Sequence, residues 1–284
     1  MDNGWTNGRK RPAGGPMGRR EFLTKATAWS GGSAAAMVFL SGREDSRAQT
    51  VSKDDPRLVT AYVTYPVEGG EMRAYFALPQ KDGKLPGVIV IHENRGLNPH
   101  TEDVARRVAL EGFIALAPDA LSLLGGTPEN ADEVRARFQK LDRESTTKNF
   151  AAAVQYLKTH PKSTGKVGCM GFCWGGGVTN QVAVRAPDLT AAIPFYGSQP
   201  ASEDVPKIKA AMCIHYAGND ERINAGIAAF EEALKKASVD YRIFLYEGAG
   251  HAFFNDANPS RYHKEAAELA WTRTVSFLKE KLKP

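Results

Sequence analysis

The sequence alternates short apolar segments with longer amphipathic ones, and this alternation constrains the fold more than any other feature. Six short runs, rich in aliphatic and aromatic residues, have the length and composition of strands, and the wholly apolar run at 87–91 is typical of a strand that is buried on both faces. They lie at residues 87–91, 113–117, 166–170, 191–195, 211–216 and 241–246. Segments with helical spacing lie at residues 99–111, 129–159 (with a break near 142–145), 175–185 and 223–237, and a last one carries Ala267, Trp271, Val275, Leu278 and Leu282 on one face. Repeated strand–helix units predict an α/β fold with a mostly parallel sheet flanked by helices on both faces.

An N-terminal antiparallel hairpin is expected before these units. Residues 58–66 and 71–78 both have strand composition, and the Val-Glu-Gly-Gly segment at 67–70 is short enough to join them directly. Residues 49–284 contain no internal repeat and no linker-like stretch, so we expect them to form a single domain. The glycine-rich loop at 121–128 is expected to border a cleft.

Residues 1–48 have the composition of an export leader. The segment Arg-Arg-Glu-Phe-Leu-Thr-Lys at 19–25 resembles the twin-arginine signature, and small and apolar residues follow it to Leu40. The Ser-Arg-Ala sequence at 46–48 is of the A-x-A cleavage type. Because the apolar run is short and rich in Gly and Ser, it is a poor transmembrane helix. We expect a periplasmic or secreted protein; a disordered cytosolic tail is the alternative.

The net charge of +5 belongs mostly to this leader. Residues 1–48 contain eight Lys or Arg and four acidic residues, so residues 49–284 contain 29 basic and 28 acidic side chains. A nearly neutral domain has no electrostatic preference for nucleic acid or for an anionic membrane. We therefore expect no nucleic-acid partner and no stable membrane association after the leader is removed.

The three cysteines are Cys169, Cys173 and Cys213. An odd number leaves at least one free thiol in an oxidising compartment. In the expected strand order another strand separates Cys169 from Cys213, and a spacing of about 4.8 Å per strand places them about 9–10 Å apart, which is too far for a disulfide. Both are predicted to be core residues.

The segment Gly-Phe-Cys-Trp-Gly at 171–175 joins a predicted buried strand to a predicted helix. This is the arrangement of a nucleophile elbow, with Cys173 where many hydrolases have serine. The tight turn needs Gly171 and Gly175 because a Cβ at either position would meet neighbouring backbone. The helix N-terminus favours a thiolate, and the Trp174 N–H is positioned to face a developing oxyanion.

Two more residues, both later in the chain than Cys173, complete a predicted catalytic triad. Asp220 follows the strand at 211–216, and His251 follows the last strand, which is the order of nucleophile, acid and base in this type of fold. His251 would exchange protons with Cys173, and Asp220 would hold the imidazole in the required tautomer. Asp119 is a competing acid, but it precedes the nucleophile and is ranked below Asp220.

These motifs together resemble the dienelactone hydrolase (carboxymethylenebutenolidase-like) family of α/β-hydrolases. The resemblance covers residues 58–282 and is carried by the elbow at 171–177, the His92-Glu93 pair and the Gly-His-Ala-Phe segment at 250–253. It implies an α/β-hydrolase fold and a triad of Cys173, Asp220 and His251. It further implies that Glu93 contacts the resting thiol and controls its activation.

The resemblance also implies that the backbone N–H groups of Asn94 and Trp174 form the oxyanion hole. The sequence departs from the family at Asn255, where an arginine that binds the substrate carboxylate is expected four residues after the histidine. Arg95 is a possible substitute, and three arginines compete for the family's other carboxylate-binding position: Arg135, Arg137 and Arg143. The aromatic side chains expected to line the cleft are Phe172, Trp174, Phe253 and Phe254, each with core packing as its alternative.

The predicted function is therefore hydrolysis of an ester or lactone through a thioester acyl-enzyme, with a substrate preference that differs from dienelactone. The expected partner is a small-molecule ester or lactone, with no cofactor; His92, His100 and His263 have no recognisable metal-binding spacing, and no metal is expected. Two alternatives remain open from sequence: a thiol-based, peroxide-responsive redox protein, and a non-catalytic binding protein with a hydrolase fold.

Overall fold

The computed structural model describes residues 50–283. Within this range eight strands form one sheet, in the order β1-β2-β4-β3-β5-β6-β7-β8. The strands are β1 Leu58–Val67, β2 Gly70–Pro79, β3 Leu85–Ile91, β4 Ile114–Pro118, β5 Ser163–Phe172, β6 Ala191–Phe195, β7 Ala211–Ala217 and β8 Tyr241–Tyr246. β1 and β2 pair as the predicted antiparallel hairpin, β2 also runs antiparallel to β4, and all other neighbours are parallel.

Seven α-helices connect or follow the strands in the described range. They are α1 Pro99–Leu110, α2 Ala131–Phe138, α3 Arg143–Lys158, α4 Trp174–Arg185, α5 Glu221–Asn224, α6 Ile227–Lys236 and α7 Lys264–Lys281. α1 begins where the sequence provides a cap, because Asn98 accepts a hydrogen bond from Thr101 N–H and Pro99 occupies the first helical turn. No helix in residues 50–283 is long and apolar enough to cross a membrane.

Helices cover both faces of the sheet, as the apolar strands require. On one face, Phe150 of α3 and Val182 of α4 pack with Ile89 of β3. On the other face, Val104 of α1 and Phe277 of α7 belong to a second buried cluster. Because successive strand residues point to opposite faces, alternate residues of β3 contribute to the two clusters. The predicted α/β-hydrolase fold is confirmed.

The chain direction across the sheet reverses at β3. The strands that follow β3 lie on its two sides, with β4 towards the hairpin and β5 towards β8. In parallel sheets of this kind the crevice at the carboxyl ends of strands near such a reversal is the usual ligand site. β3 and β5 both end in this crevice, and they lead directly to Glu93 and to Cys173.

The helix expected at 223–237 is divided into α5 and α6 around Ala225 and Gly226; Asn224 Nδ2 donates to the Ala217 carbonyl at 2.8 Å, which ties the end of α5 to β7. The leader at residues 1–48 lies outside the described residues and stays a prediction.

Candidate active site

The elbow between β5 and α4 has the strained backbone that its glycines allow. Cys173 has φ 55° and ψ −113°, a conformation that side-chain-bearing residues rarely adopt. A Cβ on Gly171 would lie 2.3 Å from the Gly175 carbonyl oxygen, and a Cβ on Gly175 would lie 2.4 Å from the His92 carbonyl oxygen. Both glycines are therefore required by backbone contacts, as the motif predicts.

The Cys173 thiol is free and half-buried at the start of α4. Burial and the nearby Glu93 carboxylate raise its pKa from its ordinary value of 9.0 to about 11. The Trp174 backbone N–H and the Arg222 guanidinium oppose this rise in the pKa but do not cancel it. The helix N-terminus alone would favour the thiolate, so burial and Glu93 dominate, and the resting group is the neutral thiol.

Asp220 and His251 meet at the carboxyl ends of β7 and β8. The His251 Nδ1 and the Asp220 Oδ2 lie 2.5 Å apart. Asp220 is buried and His251 is partly exposed, so the carboxylate lies beneath the ring and leaves the imidazole edge accessible. A hydrogen bond between the backbone of Asn219 and Ala249 at 2.9 Å joins the two loops that carry them.

Glu93 is held by two side chains from distant parts of the chain. Its Oε1 accepts from the Tyr196 hydroxyl at 3.4 Å, and its Oε2 accepts from Asn255 Nδ2 at 3.0 Å. Asn255, at the position of the expected arginine, thus contacts the carboxylate with a neutral donor. Glu93 lies close enough to Cys173 to be the second-largest influence on its pKa.

Tyr196 is a site residue that was missed in the sequence analysis. It is buried, has φ 36°, and its ring packs edge-on against the His251 ring at 5.1 Å between centroids. Burial and the adjacent Glu93 carboxylate raise the pKa of its hydroxyl, so it stays a donor to Glu93. The available signal was its position directly after the buried strand at 191–195, where this fold places functional residues.

The predicted oxyanion-hole donors follow β3 and β5. Asn94 comes after Glu93 in an exposed turn, and Trp174 begins α4. Among residues 50–283 the Asn94 N–H has no hydrogen-bond acceptor in the protein, whereas the Trp174 N–H is directed at the Cys173 sulfur and lowers the pKa of that thiol. The first N–H groups of a helix have no intrahelical acceptor, so the Trp174 N–H is free of the helix and lies beside the thiol.

Asp119, the competing acid, has a different role. It is fully buried, and its carboxylate accepts from Leu121 N–H at 3.0 Å and from Thr127 N–H and Oγ1 at 2.8 and 2.7 Å. These bonds tie together the glycine-rich loop that follows β4. Its ranking below Asp220 agrees with this geometry, because it is Asp220 that contacts the histidine.

The expectation that three phenylalanines line the cleft is wrong. Phe172, Phe253 and Phe254 are 2%, 0% and 3% exposed, so their side chains present almost no surface to a ligand. The Phe254 ring stacks on Phe172 with centroids 5.0 Å apart, and Phe253 packs against Tyr196 and Tyr246. The three rings pack beneath the His251 loop, and their burial stabilises that loop through the hydrophobic effect.

The arginines considered as substrate ligands are dispersed. Arg95 is exposed two residues after Glu93, and Arg135 and Arg143 are exposed on α2 and α3. Arg137 Nη1 donates to the Gly126 carbonyl at 2.7 Å and so supports the glycine-rich loop. Arg222, which the sequence analysis overlooked, is exposed on α5 and influences the thiol.

The other two cysteines are buried core residues, as predicted. Cys169 lies on β5 and Cys213 on β7, with β6 between them, and all three cysteines are free. No group of His, Cys, Asp and Glu in residues 50–283 is arranged to hold a metal ion. His263 instead accepts a hydrogen bond from Ala266 N–H at the start of α7.

Comparisons with known proteins place this geometry in a family. The dienelactone hydrolase family model matches residues 72–282. Proteins named "Putative carboxymethylenebutenolidase" from Saccharolobus solfataricus and Escherichia coli K12 are 36% and 32% identical; the alignments cover 76% and 81% of this chain and 97% and 90% of theirs.

Among solved structures, a dienelactone hydrolase-like promiscuous phosphotriesterase from metagenomic libraries superposes with a TM-score of 0.72 and 26% identity. The superposition covers 79% of this chain and 99% of the other. The family match over most of the described range, together with the elbow and the hydrolase-type sheet, leads to one conclusion: the chain belongs to the dienelactone hydrolase family.

Proposed function

We propose that this protein is an exported carboxylic ester hydrolase that cleaves an ester or lactone with Cys173 as its nucleophile. His251 is the general base and acid, and Asp220 orients it. The observation that carries the proposal is the His251–Asp220 hydrogen bond of 2.5 Å at the sheet edge where the Cys173 elbow lies. A buried acid that holds a partly exposed histidine is the arrangement required to activate a nucleophile.

The reaction starts from a neutral thiol. A bound substrate displaces Glu93 from Cys173, and His251 takes the thiol proton as the sulfur attacks the carbonyl carbon. The tetrahedral oxyanion accepts hydrogen bonds from the Asn94 and Trp174 N–H groups, and each such donor contributes about 3–4 kcal/mol to transition-state stabilisation in related chemistry. The C–O bond then breaks, and His251 returns the proton to the leaving alkoxide.

The remaining thioester is hydrolysed by water. His251 removes a proton from the water as the hydroxide attacks the thioester carbonyl, and the same two N–H groups bind the second oxyanion. The C–S bond breaks, and the sulfur leaves as thiolate and is reprotonated from His251. The burial that raises the thiol pKa protects the resting enzyme from oxidation, since thiolates are the form that oxidises.

The preferred substrate that we propose differs from dienelactone itself. Asn255 places a neutral donor on Glu93 where a guanidinium is expected in the family. A substrate carboxylate would therefore lose one bidentate, charge-assisted contact. Arg95 is the candidate for a weaker replacement, since it is exposed beside Glu93.

Export is proposed on the sequence of residues 19–48 alone. The twin-arginine route carries folded proteins, and the periplasm or the exterior is the proposed location. Replacing Arg19 and Arg20 together by Lys should retain the protein in the cytoplasm, which cell fractionation measures. Periplasmic recovery of that variant would contradict a twin-arginine leader.

The catalytic proposal is tested with a panel of short p-nitrophenyl esters and lactones. Cys173→Ala should lose nearly all hydrolysis, and mass spectrometry of the parent enzyme during turnover should find the acyl group on Cys173. Cys169→Ala removes a buried thiol of β5 and is the matched control. Equal hydrolysis by Cys173→Ala and the parent enzyme would contradict the proposal.

A further inference from the structure

His92 is fully buried between the two chain segments that carry the proposed oxyanion donors. Its ring lies parallel to the Trp174 indole, with centroids 5.5 Å apart and an interplanar angle of 10°. Its backbone carbonyl oxygen is the nearest of the atoms that exclude a side chain at Gly175, at 2.4 Å from the position of a Cβ. The residue after it is Glu93, whose peptide bond leads to Asn94.

Both ring nitrogens of His92 are used, and their partners define the tautomer. The Nε2 accepts a hydrogen bond from Ala120 N–H at 3.1 Å, so it carries no proton. The Nδ1 therefore carries the proton and donates to the Glu93 carbonyl at 2.6 Å. Burial lowers the pKa of this imidazole, although the nearby Asp119 carboxylate opposes that effect, and the ring remains neutral.

This hydrogen bond determines the direction of a neighbouring donor. In a planar trans peptide the carbonyl and the following N–H point to opposite sides, and the described peptide bonds include no cis bond. With the Glu93 carbonyl directed at the His92 ring, the Asn94 N–H is directed away from it. That N–H has no acceptor among residues 50–283 and so is free for a ligand.

We infer that His92 is a positioning residue of the oxyanion hole: its Nδ1–H fixes the Glu93–Asn94 peptide so that the Asn94 N–H faces the reacting carbonyl oxygen. The inference rests on the proposed function, because it assigns a task within the same site. His92 does not touch the reacting atoms. Its contribution is orientation, which an oxyanion hole requires before the charge develops.

Two substitutions of His92 distinguish the role of its Nδ1 from the role of its Nε2. Counted in bonds from Cβ, the Nδ2 of an asparagine reaches the place of Nδ1, and the terminal group of a glutamine reaches the place of Nε2. His92→Asn therefore retains a donor for the Glu93 carbonyl, and His92→Gln retains a polar partner for Ala120 N–H. His160→Gln, which removes a buried histidine that accepts from Lys162 N–H, is the matched control.

The measurements are kcat and KM for a short p-nitrophenyl ester, the affinity of a trifluoromethyl ketone, and the alkylation rate of Cys173 by iodoacetamide. The ketone forms a tetrahedral adduct with the thiol and places an oxyanion in the hole, whereas alkylation creates no oxyanion. A merely structural role would change alkylation together with kcat.

For His92→Gln we expect kcat and the ketone affinity to fall together by about 10–100-fold, at or below the loss on deleting an oxyanion donor. KM and the alkylation rate should stay within about threefold, since ground-state binding and thiol access do not depend on this donor. His92→Asn and His160→Gln should keep all four quantities within about threefold of the parent enzyme.

Equal kcat values for His92→Gln and His92→Asn would overturn the inference, as would a fall in alkylation that matches the fall in kcat. If His92→Gln does not fold, His92→Phe keeps the stacked ring, lacks both nitrogens and should show the same loss; full kcat in His92→Phe would overturn the inference. Activity that survives in Cys173→Ala contradicts the proposed function instead, so the two failures are distinguishable.

Discussion

Replacing Glu93 by glutamine removes the carboxylate beside the thiol and keeps the size of the side chain. The amide oxygen of the new side chain would still accept a hydrogen bond from Asn255, so the loop should retain its position. Because a carboxylate disfavours a nearby thiolate, its loss should lower the pKa of Cys173. The expected result is a more reactive thiol at neutral pH in a less regulated enzyme.

The magnitude follows from the balance of effects on the thiol. Its pKa is raised from 9.0 to about 11, burial is the largest cause, and Glu93 is the second. We take the contribution of Glu93 to be about one pKa unit, or about 1.4 kcal/mol. Two unit charges about 4 Å apart interact by about 1 kcal/mol in water and about 4 kcal/mol in a partly polar environment, so this value is near the lower limit. We expect the Cys173 pKa in Glu93→Gln to be lower than in the parent enzyme by about this amount.

The assay is the rate of iodoacetamide alkylation as a function of pH, with the modified cysteine identified by mass spectrometry. At pH 7.5 the thiolate fraction should rise about tenfold, but the lower pKa reduces intrinsic nucleophilicity about threefold for a Brønsted coefficient near 0.45, which leaves a net gain of about threefold. Cys169 and Cys213 are buried and should stay unmodified in the folded protein.

Glu203→Gln removes an exposed carboxylate from the loop after β6 and is the matched control, which should leave the profile unchanged. A Cys173 pKa in Glu93→Gln that equals or exceeds the parent value would refute the role assigned to Glu93. The alkylation profile reports the pKa of the free enzyme, so the result does not depend on the choice of substrate.

Three further predictions follow from the site. Asp220→Asn should reduce kcat about 10²–10⁴-fold with little change in thermal stability, because the imidazole loses its orienting acceptor; a retained kcat would contradict the triad. Gly175→Ala should destabilise the fold by about 1–3 kcal/mol in urea unfolding, since its Cβ would lie 2.4 Å from a backbone oxygen, whereas Gly250→Ala has no atom within 4 Å of its Cβ and should change stability far less. Asn255→Arg should raise kcat/KM for lactones that carry a carboxylate relative to neutral esters, through a charge-assisted contact; an unchanged ratio would remove position 255 from substrate selection.

The fold could be predicted from local patterns because those patterns have one physical solution. Strands buried on both faces must be apolar throughout, and β3, β4 and β6 were recognisable on that ground alone. The elbow was recognisable because a turn as tight as that at Cys173 tolerates only glycine at Gly171 and Gly175. The order of the triad residues follows from the order of the strands that precede them.

Apart from Glu93, which the family resemblance implied, the environment of the thiol could not be predicted in the same way. Glu93 and Asn255 are 162 positions apart in the chain and become hydrogen-bond partners through the register and packing of the sheet. Tyr196 reaches Glu93 from a third strand. Aromatic residues near His251 have the same composition whether they line a cleft or support it, and only their burial shows that Phe253 and Phe254 support it.

The sequence by itself determined the α/β architecture, the nucleophile elbow and the candidate triad, because apolar periodicity, glycine sterics and strand order are local or one-dimensional constraints. The tertiary structure decided which groups surround Cys173 and which ring nitrogen of His92 carries the proton, since both depend on atoms that meet only after the sheet is assembled. Hydrogen bonds and charges act over a few ångströms. Their partners are therefore set by three-dimensional packing, and a chain of separate motifs does not contain that information.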